Sequence, residues 1–167
     1  MIRLLVDVVS KNGNLLLNIP VKGDGSIDNH EMKILEEIAC WMNVNQEAIF
    51  ETRPWHIFGE GPVAERENPI RGQGFNEGII RSLTSKDIRF TRKDKQIYAI
   101  VMAWPEDRKI TLKSLATDST GYEGVIIGVE LLGGQTVSYK RDAEGLKITI
   151  SELKSSDMPL VLKIRTT

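Results

Sequence analysis

The stretch Lys11–Asn18, Lys-Asn-Gly-Asn-Leu-Leu-Leu-Asn, constrains the fold more than any other part of the chain. Leu15, Leu16 and Leu17 are consecutive apolar residues with no alternation. A strand with one face in water alternates; an unbroken apolar run fits a parallel strand covered on both faces. Asn12-Gly13 before it is a strong breaker, because both residues tolerate positive φ. Ile2–Ser10 reads as the last turns of a helix, with Ile2, Leu5, Val6 and Val9 on one face. No N-cap residue precedes Ile2, so the chain reads as starting inside an element. A second helix follows Asp28, which is placed to cap it with Glu31 three residues on. Its stripe is Met32, Leu35, Ile38, Ala39 and Met42, and Gln46–Phe50 reads as one more short turn. The opening is therefore helix–strand–helix, a piece of a βα array. One such strand cannot make a sheet, and its open edges and faces need partners.

The texture changes after Glu51. Thr52-Arg53-Pro54-Trp55 begins an extended connector, and residues 59–86 read as a linker or crossing loop rich in Gly and Pro. From Asp87 the chain is strand after strand: Ile88–Phe90, Ile97–Trp104, Lys109–Leu115, Val125–Leu132, Thr136–Lys140, Leu146–Ile150 and Leu160–Arg165. Ile97–Trp104 is apolar on both faces, as a central strand is. Gly133-Gly134 and Glu144-Gly145 read as hairpin turns. Short, regularly spaced strands with such turns predict an antiparallel sandwich. The predicted fold is thus α/β plus all-β, divided into residues 1–58, a linker at 59–86, and a sandwich at 87–167.

Composition narrows the function classes. With 22 basic and 23 acidic residues the net charge is −1, which gives no reason to expect nucleic acid as a partner. No apolar run approaches the ~20 residues of a membrane span. The single cysteine, Cys40, excludes an intrachain disulfide and an all-cysteine metal site. His30 and His56 are the only histidines, and no paired spacing makes a metal site, so no metal or cofactor is expected. Gly72-x-Gly74 has no strand before it, which leaves it a loop rather than a phosphate cradle. No serine sits in a nucleophile-elbow setting. Carboxylates remain. Glycoside hydrolysis needs two of them, held ~5–9.5 Å apart. Asp24, Glu60, Glu65 and Glu67 lie in loops, and nothing in the sequence pairs them. Trp41, Trp55, Tyr98 and Trp104 have the rings to stack on sugars, though Trp41 and Trp104 lie in apolar elements.

The motifs also point outward. Val9–Ile19 followed by Gly23-Asp24-Gly25-Ser26-Ile27 resembles the late barrel segment of the α-L-fucosidases, glycoside hydrolase family 29. The similarity continues through Trp41–Phe50, Thr52-Arg53-Pro54-Trp55, Gly59-Glu60-Gly61-Pro62, Thr84–Thr91 and Ile97–Ile100. Leu131-Leu132-Gly133 and Asp142–Leu146 resemble that family's C-terminal sandwich. Two departures are mild: Pro20-Val21 stands where Gly-Pro or Pro-Pro is common, and Gln46 where Gly is common.

The resemblance implies the terminal helix–strand–helix of a (β/α)₈ barrel followed by an antiparallel β-sandwich. It implies hydrolysis of terminal α-L-fucosyl bonds by a retaining mechanism in the complete enzyme, with a fucosylated glycan as substrate. It also implies a periplasmic, secreted or lysosomal parent. The family's nucleophilic Asp, acid/base Glu and fucose-binding histidines come from earlier barrel strands, so no catalytic residue is carried over. Asn18 and Pro20, after the last barrel strand, are the expected substrate-proximal residues, since active sites are built at that face of such barrels. This chain alone is expected to be inactive, and a missing barrel segment or self-association to supply its partner. The alternative is a non-catalytic sandwich that binds carbohydrate through Tyr98, Trp104, Tyr122 and Tyr139, or braces a barrel.

Overall fold

The computed structural model describes residues 1–65, 83–119, 122, 124–134, 136–152 and 156–167. Gly72-x-Gly74, Glu67 and most of the 59–86 segment lie outside them. Among these residues two α-helices, α1 (Ile2–Ser10) and α2 (Asn29–Asn45), precede eight strands. These are β1 (Arg53–Glu60), β2 (Ile88–Lys93), β3 (Gln96–Val101), β4 (Lys109–Leu112), β5 (Ile126–Leu131), β6 (Val137–Asp142), β7 (Gly145–Ile150) and β8 (Leu160–Thr166). One sheet has the order β1-β2-β3-β8-β5 and the other β4-β7-β6, and every pairing among the described residues is antiparallel.

Alternation explains how the sheets stack. Phe90, Ala99 and Leu162 share one row of the larger sheet. They pack with Ile110, Leu112, Leu146, Ile148 and Ile150 of the smaller sheet in one buried core. The other face of the larger sheet is also apolar. Tyr98, Ile100 and Val161 project from it into a second core with Ile2 and Val6 of α1, Trp41 of α2, and Ala48 and Ile49. The β3 strand, third of five, is buried on both faces, as its unbroken apolar run predicts.

Polar links fasten this second layer. Arg89 Nε donates to Asp7 Oδ1 at 2.7 Å, Thr91 Oγ1 donates to the Ala48 carbonyl at 2.7 Å, and Trp41 Nε1 donates to the Pro159 carbonyl at 2.7 Å. Arg89 is only 1% exposed. Its stem fits because residue 59 is glycine: a Cβ there would meet the Ile88 carbonyl at 2.5 Å and Arg89 Cδ at 2.9 Å.

Four sequence expectations change. Leu15–Leu17 is not a strand: residues 13–20 carry no regular structure, and Leu16 is 94% exposed. A strand exists only in a pair, and no described strand lies beside this run to bond its edges. Helix α2 forms under its Asp28 cap, but only Trp41 and Asn45 of it are buried and Met32 is 41% exposed. The extended connector at Arg53 is the edge strand β1, paired with β2 through an irregular register. An edge accommodates Pro54, which has no N–H to donate. Finally, Gly133-Gly134 is not a hairpin. Both glycines have positive φ (94° and 87°), and they carry the chain from β5 in one sheet to β6 in the other. Glu144-Gly145 does close the β6–β7 hairpin, with Asp142 opposite Gly145.

Candidate functional site

Helix α1 ends at Ser10 with Lys11 as its C-cap, and Asn12 follows with φ 63°, the left-handed conformation its breaker pattern predicts. The chain then runs in the open through Asn18 and Pro20, both exposed. It turns at Lys22–Ser26, where Lys22 N–H donates to the Ser26 carbonyl at 2.8 Å. Asp24 caps that turn, accepting from Ser26 N–H at 2.9 Å and Ser26 Oγ at 2.7 Å. These bonds hold its carboxyl below the ordinary carboxylate range. Asp24 is therefore an ionised turn residue.

The other loop carboxylates also serve the backbone. Glu60, at the end of β1, is 7% exposed. Its Oε1 accepts from Lys113 N–H at 2.9 Å, and its Oε2 from Ser114 N–H at 2.8 Å and from the Ser114 hydroxyl. It thereby caps the 3₁₀ turn Lys113–Leu115 that follows β4. Glu65 accepts from Gly61 N–H at 3.3 Å. Asp87, 1% exposed, accepts from Val63 N–H and from Thr84 N–H, each at 2.9 Å. The sequence ranked Glu60 as a solvated loop charge; its place at the end of an edge strand, one residue before the turn at Gly61, is the only hint of burial. None of the described candidates is a free carboxylate aimed at another.

His30 is the second residue of α2 and gives its backbone N–H to Asp28 Oδ1. His56 lies exposed on β1, edge-on to Trp55 at 3.8 Å between ring centres, and partial burial lowers its pKa. Among the described residues, no three His, Cys, Asp or Glu side chains are grouped to hold a metal ion. No described helix is long and apolar enough to cross a membrane.

The aromatics divide. Trp41 and Tyr98 are core residues, 6% and 1% exposed. Trp55 packs on Phe90 and Tyr122, and Arg141 lies over the Tyr122 ring. Tyr139 is exposed and stands on the edge strand β6. Trp104 is half-buried and lines the wall of a groove between α2 and the sandwich. They do not form a row on one face.

Comparison with known proteins assigns both parts of the chain. Residues 1–47 match the family model described as alpha-L-fucosidase, and residues 81–165 match the alpha-L-fucosidase C-terminal domain. The tissue alpha-L-fucosidase of Homo sapiens is 30% identical over 157 residues, which is 93% of this chain and 28% of that protein. The plasma alpha-L-fucosidase of Homo sapiens is 30% identical over 166 residues, 95% of this chain and 29% of that protein. The crystal structure of Thermotoga maritima alpha-fucosidase in complex with a mechanism-based inhibitor superposes with a TM-score of 0.68 at 30% identity. That match covers 98% of this chain and 33% of the other. The chain thus spans about a third or less of the relatives it matches, and its mixed helical and antiparallel-sheet architecture agrees with theirs. From one end to the other, in sequence and in fold, this chain belongs to the alpha-L-fucosidase family.

Proposed function

We propose that this chain is the C-terminal part of an α-L-fucosidase that hydrolyses terminal α-L-fucosyl bonds with retention, through a glycosyl-enzyme intermediate. Residues 1–58 supply the last helix–strand–helix of a (β/α)₈ barrel, and residues 87–167 the sandwich that braces it. One observation carries this reading: Leu15–Leu17 has the composition of a strand covered on both faces, yet Leu16 is 94% exposed. The apolar residues Leu17, Val21 and Met32 are exposed as well. Flanking parallel strands and their helices would cover it. In that setting Asn18 and Pro20, just past the strand, shape the rim of the fucose pocket. The nucleophile and the acid lie on barrel strands outside this sequence. The substrate class is supported by the relatives' names, and the covalent route by the mechanism-based inhibitor of the Thermotoga maritima enzyme.

The bracing role rests on the second core and on the Asp7–Arg89 link, which bind α1 to the sheet face opposite the sandwich interior. The test is hydrolysis of an aryl α-L-fucoside. The purified chain is expected to give no turnover even at high concentration. Turnover by the chain alone overturns the reading, and Asp24, Glu60, Glu65 and Glu67 would then be the first residues to substitute.

A further inference from the structure

A groove of about 530 Å³ lies between α2 and the sandwich. One wall is a helical stripe of α2, Lys33, Glu36, Glu37 and Cys40, continuing to Asn45. At 1.5 Å per residue this wall is about 18 Å long. The floor and far wall are apolar, with Trp104 and Met158 prominent. The two sides differ in kind. The floor offers an indole ring and carbon surface. The wall offers two carboxylates and an ammonium, and among the described residues no side chain pairs with them. The inner end is already fixed: Trp41 gives its N–H to the Pro159 carbonyl, and Asn45 Nδ2 gives one to the Trp41 carbonyl at 2.9 Å.

We infer that this groove binds a neutral sugar residue, its C–H face on Trp104 and its hydroxyls toward Glu36, Glu37 and Lys33. The two-sidedness selects the ligand class. A sugar has an apolar face and a rim of hydroxyl donors, and carboxylates accept such donors in charge-assisted bonds. Electron-rich aromatic faces attract the weakly positive C–H groups. An acyl chain would fill the floor but make no use of the exposed carboxylates and ammonium along the wall. The volume lies within the ~300–1,000 Å³ range of small-molecule sites. The groove contains none of the loop Asn18–Asp24, so it is a second glycan contact separate from the pocket rim, and its binding is read on this chain alone.

Cys40 makes the test specific. It is the only thiol of the chain, it is exposed, and it sits in the groove wall. The rate at which a maleimide modifies Cys40 is measured with and without millimolar 2′-fucosyllactose, alongside the saturation-transfer NMR signal of the sugar. The sugar is expected to slow labelling several-fold and to show transfer at its C–H protons. Trp104→Ala is expected to abolish both effects. Because Trp104 also touches the core, the surface variant Glu36→Gln/Glu37→Gln provides a control that leaves the fold intact, and it is expected to weaken protection several-fold. Unchanged labelling with no transfer signal overturns the inference. So does protection by a peptide or detergent but not by the sugar, or equal protection in the Glu36→Gln/Glu37→Gln variant. None of these outcomes bears on hydrolysis, so a failure here is distinct from a failure of the hydrolase reading.

Discussion

Two buried charges show what single residues do in this fold. Arg89 is 1% exposed, and its charge is balanced by Asp7, which also holds Lys11 Nζ at 2.7 Å. The two partners are not equivalent. Asp7→Asn leaves Arg89 buried without its counter-charge, an arrangement that costs about 3–5 kcal/mol. Arg89→Met leaves Asp7 still paired with Lys11, so a smaller loss of about 1–3 kcal/mol is expected. The double variant Asp7→Asn/Arg89→Met should lose less than the sum of the single changes, because no buried charge is stranded. Urea unfolding of the set checks this, and strict additivity would show that the two side chains are not coupled. Glu60 gives a second residue-scale prediction. Its two oxygens serve three donors, Lys113 N–H, Ser114 N–H and Ser114 Oγ. An amide can present only one oxygen to them, so Glu60→Gln should lower stability by about 1–3 kcal/mol in thermal melting. An unchanged melting temperature would show that the cap is not structural and reopen Glu60 as a functional carboxylate.

At the scale of elements, the pH dependence of α2 follows from its cap. Asp28 Oδ1 accepts from Glu31 N–H at 2.9 Å and His30 N–H at 2.8 Å. The bond from Glu31 is the main reason its pKa lies below the ordinary value of 3.8. A carboxyl with a lowered folded pKa stabilises the helix fully above its unfolded value, and that contribution is lost as pH falls through the folded value. The first turn of α2 should therefore fray only below pH 3.8, seen as an acid-induced shift of the Glu31 amide in NMR spectra. Asp28→Ala should remove the acid step; an acid step that persists in this variant would assign it elsewhere. The sequence makes this cap legible because capping is local: donor and acceptor lie within three residues. The same holds for strands β2 to β8, whose apolar patterns and turn residues lie within each segment. What was not legible depends on partners distant in sequence. Leu15–Leu17 carries a strand's composition with no neighbour to pair with among the described residues. The edge strand β1 hides behind Pro54 and an irregular register. The destination of Gly133-Gly134 depends on which sheet the next strand joins. Glu60 is buried by a turn more than fifty residues away.

At the scale of the whole molecule, the two cores decide whether the sandwich stands alone. Residues 87–167 look self-sufficient in sequence, since they alternate and close on themselves. Yet Tyr98, Ile100, Met102 and Val161 are each at most 1% exposed because Ile2, Val6, Trp41, Ala48 and Ile49 lie on them. Removing residues 1–50 would uncover this whole face. A fully buried aliphatic side chain contributes ~1.5–3 kcal/mol relative to an exposed one, and several are lost together. That sum is comparable with the ~5–15 kcal/mol that holds an ordinary domain folded. It would also leave an exposed apolar patch on a five-stranded sheet, a surface that promotes association. Chain 51–167 is therefore expected to melt well below chain 1–167 and to sediment as oligomers, whereas the longer chain unfolds in a single cooperative transition that includes α1. Hydrogen exchange locates the same boundary inside the intact chain: amides of Ile2–Ser10 should be protected along with β3, while those of 14–20, beside which no described strand lies, exchange freely. If chain 51–167 instead melts at the same temperature as a monomer, the helical layer is only lodged on the sandwich. The proposed bracing role would then lose the support it draws from the second core.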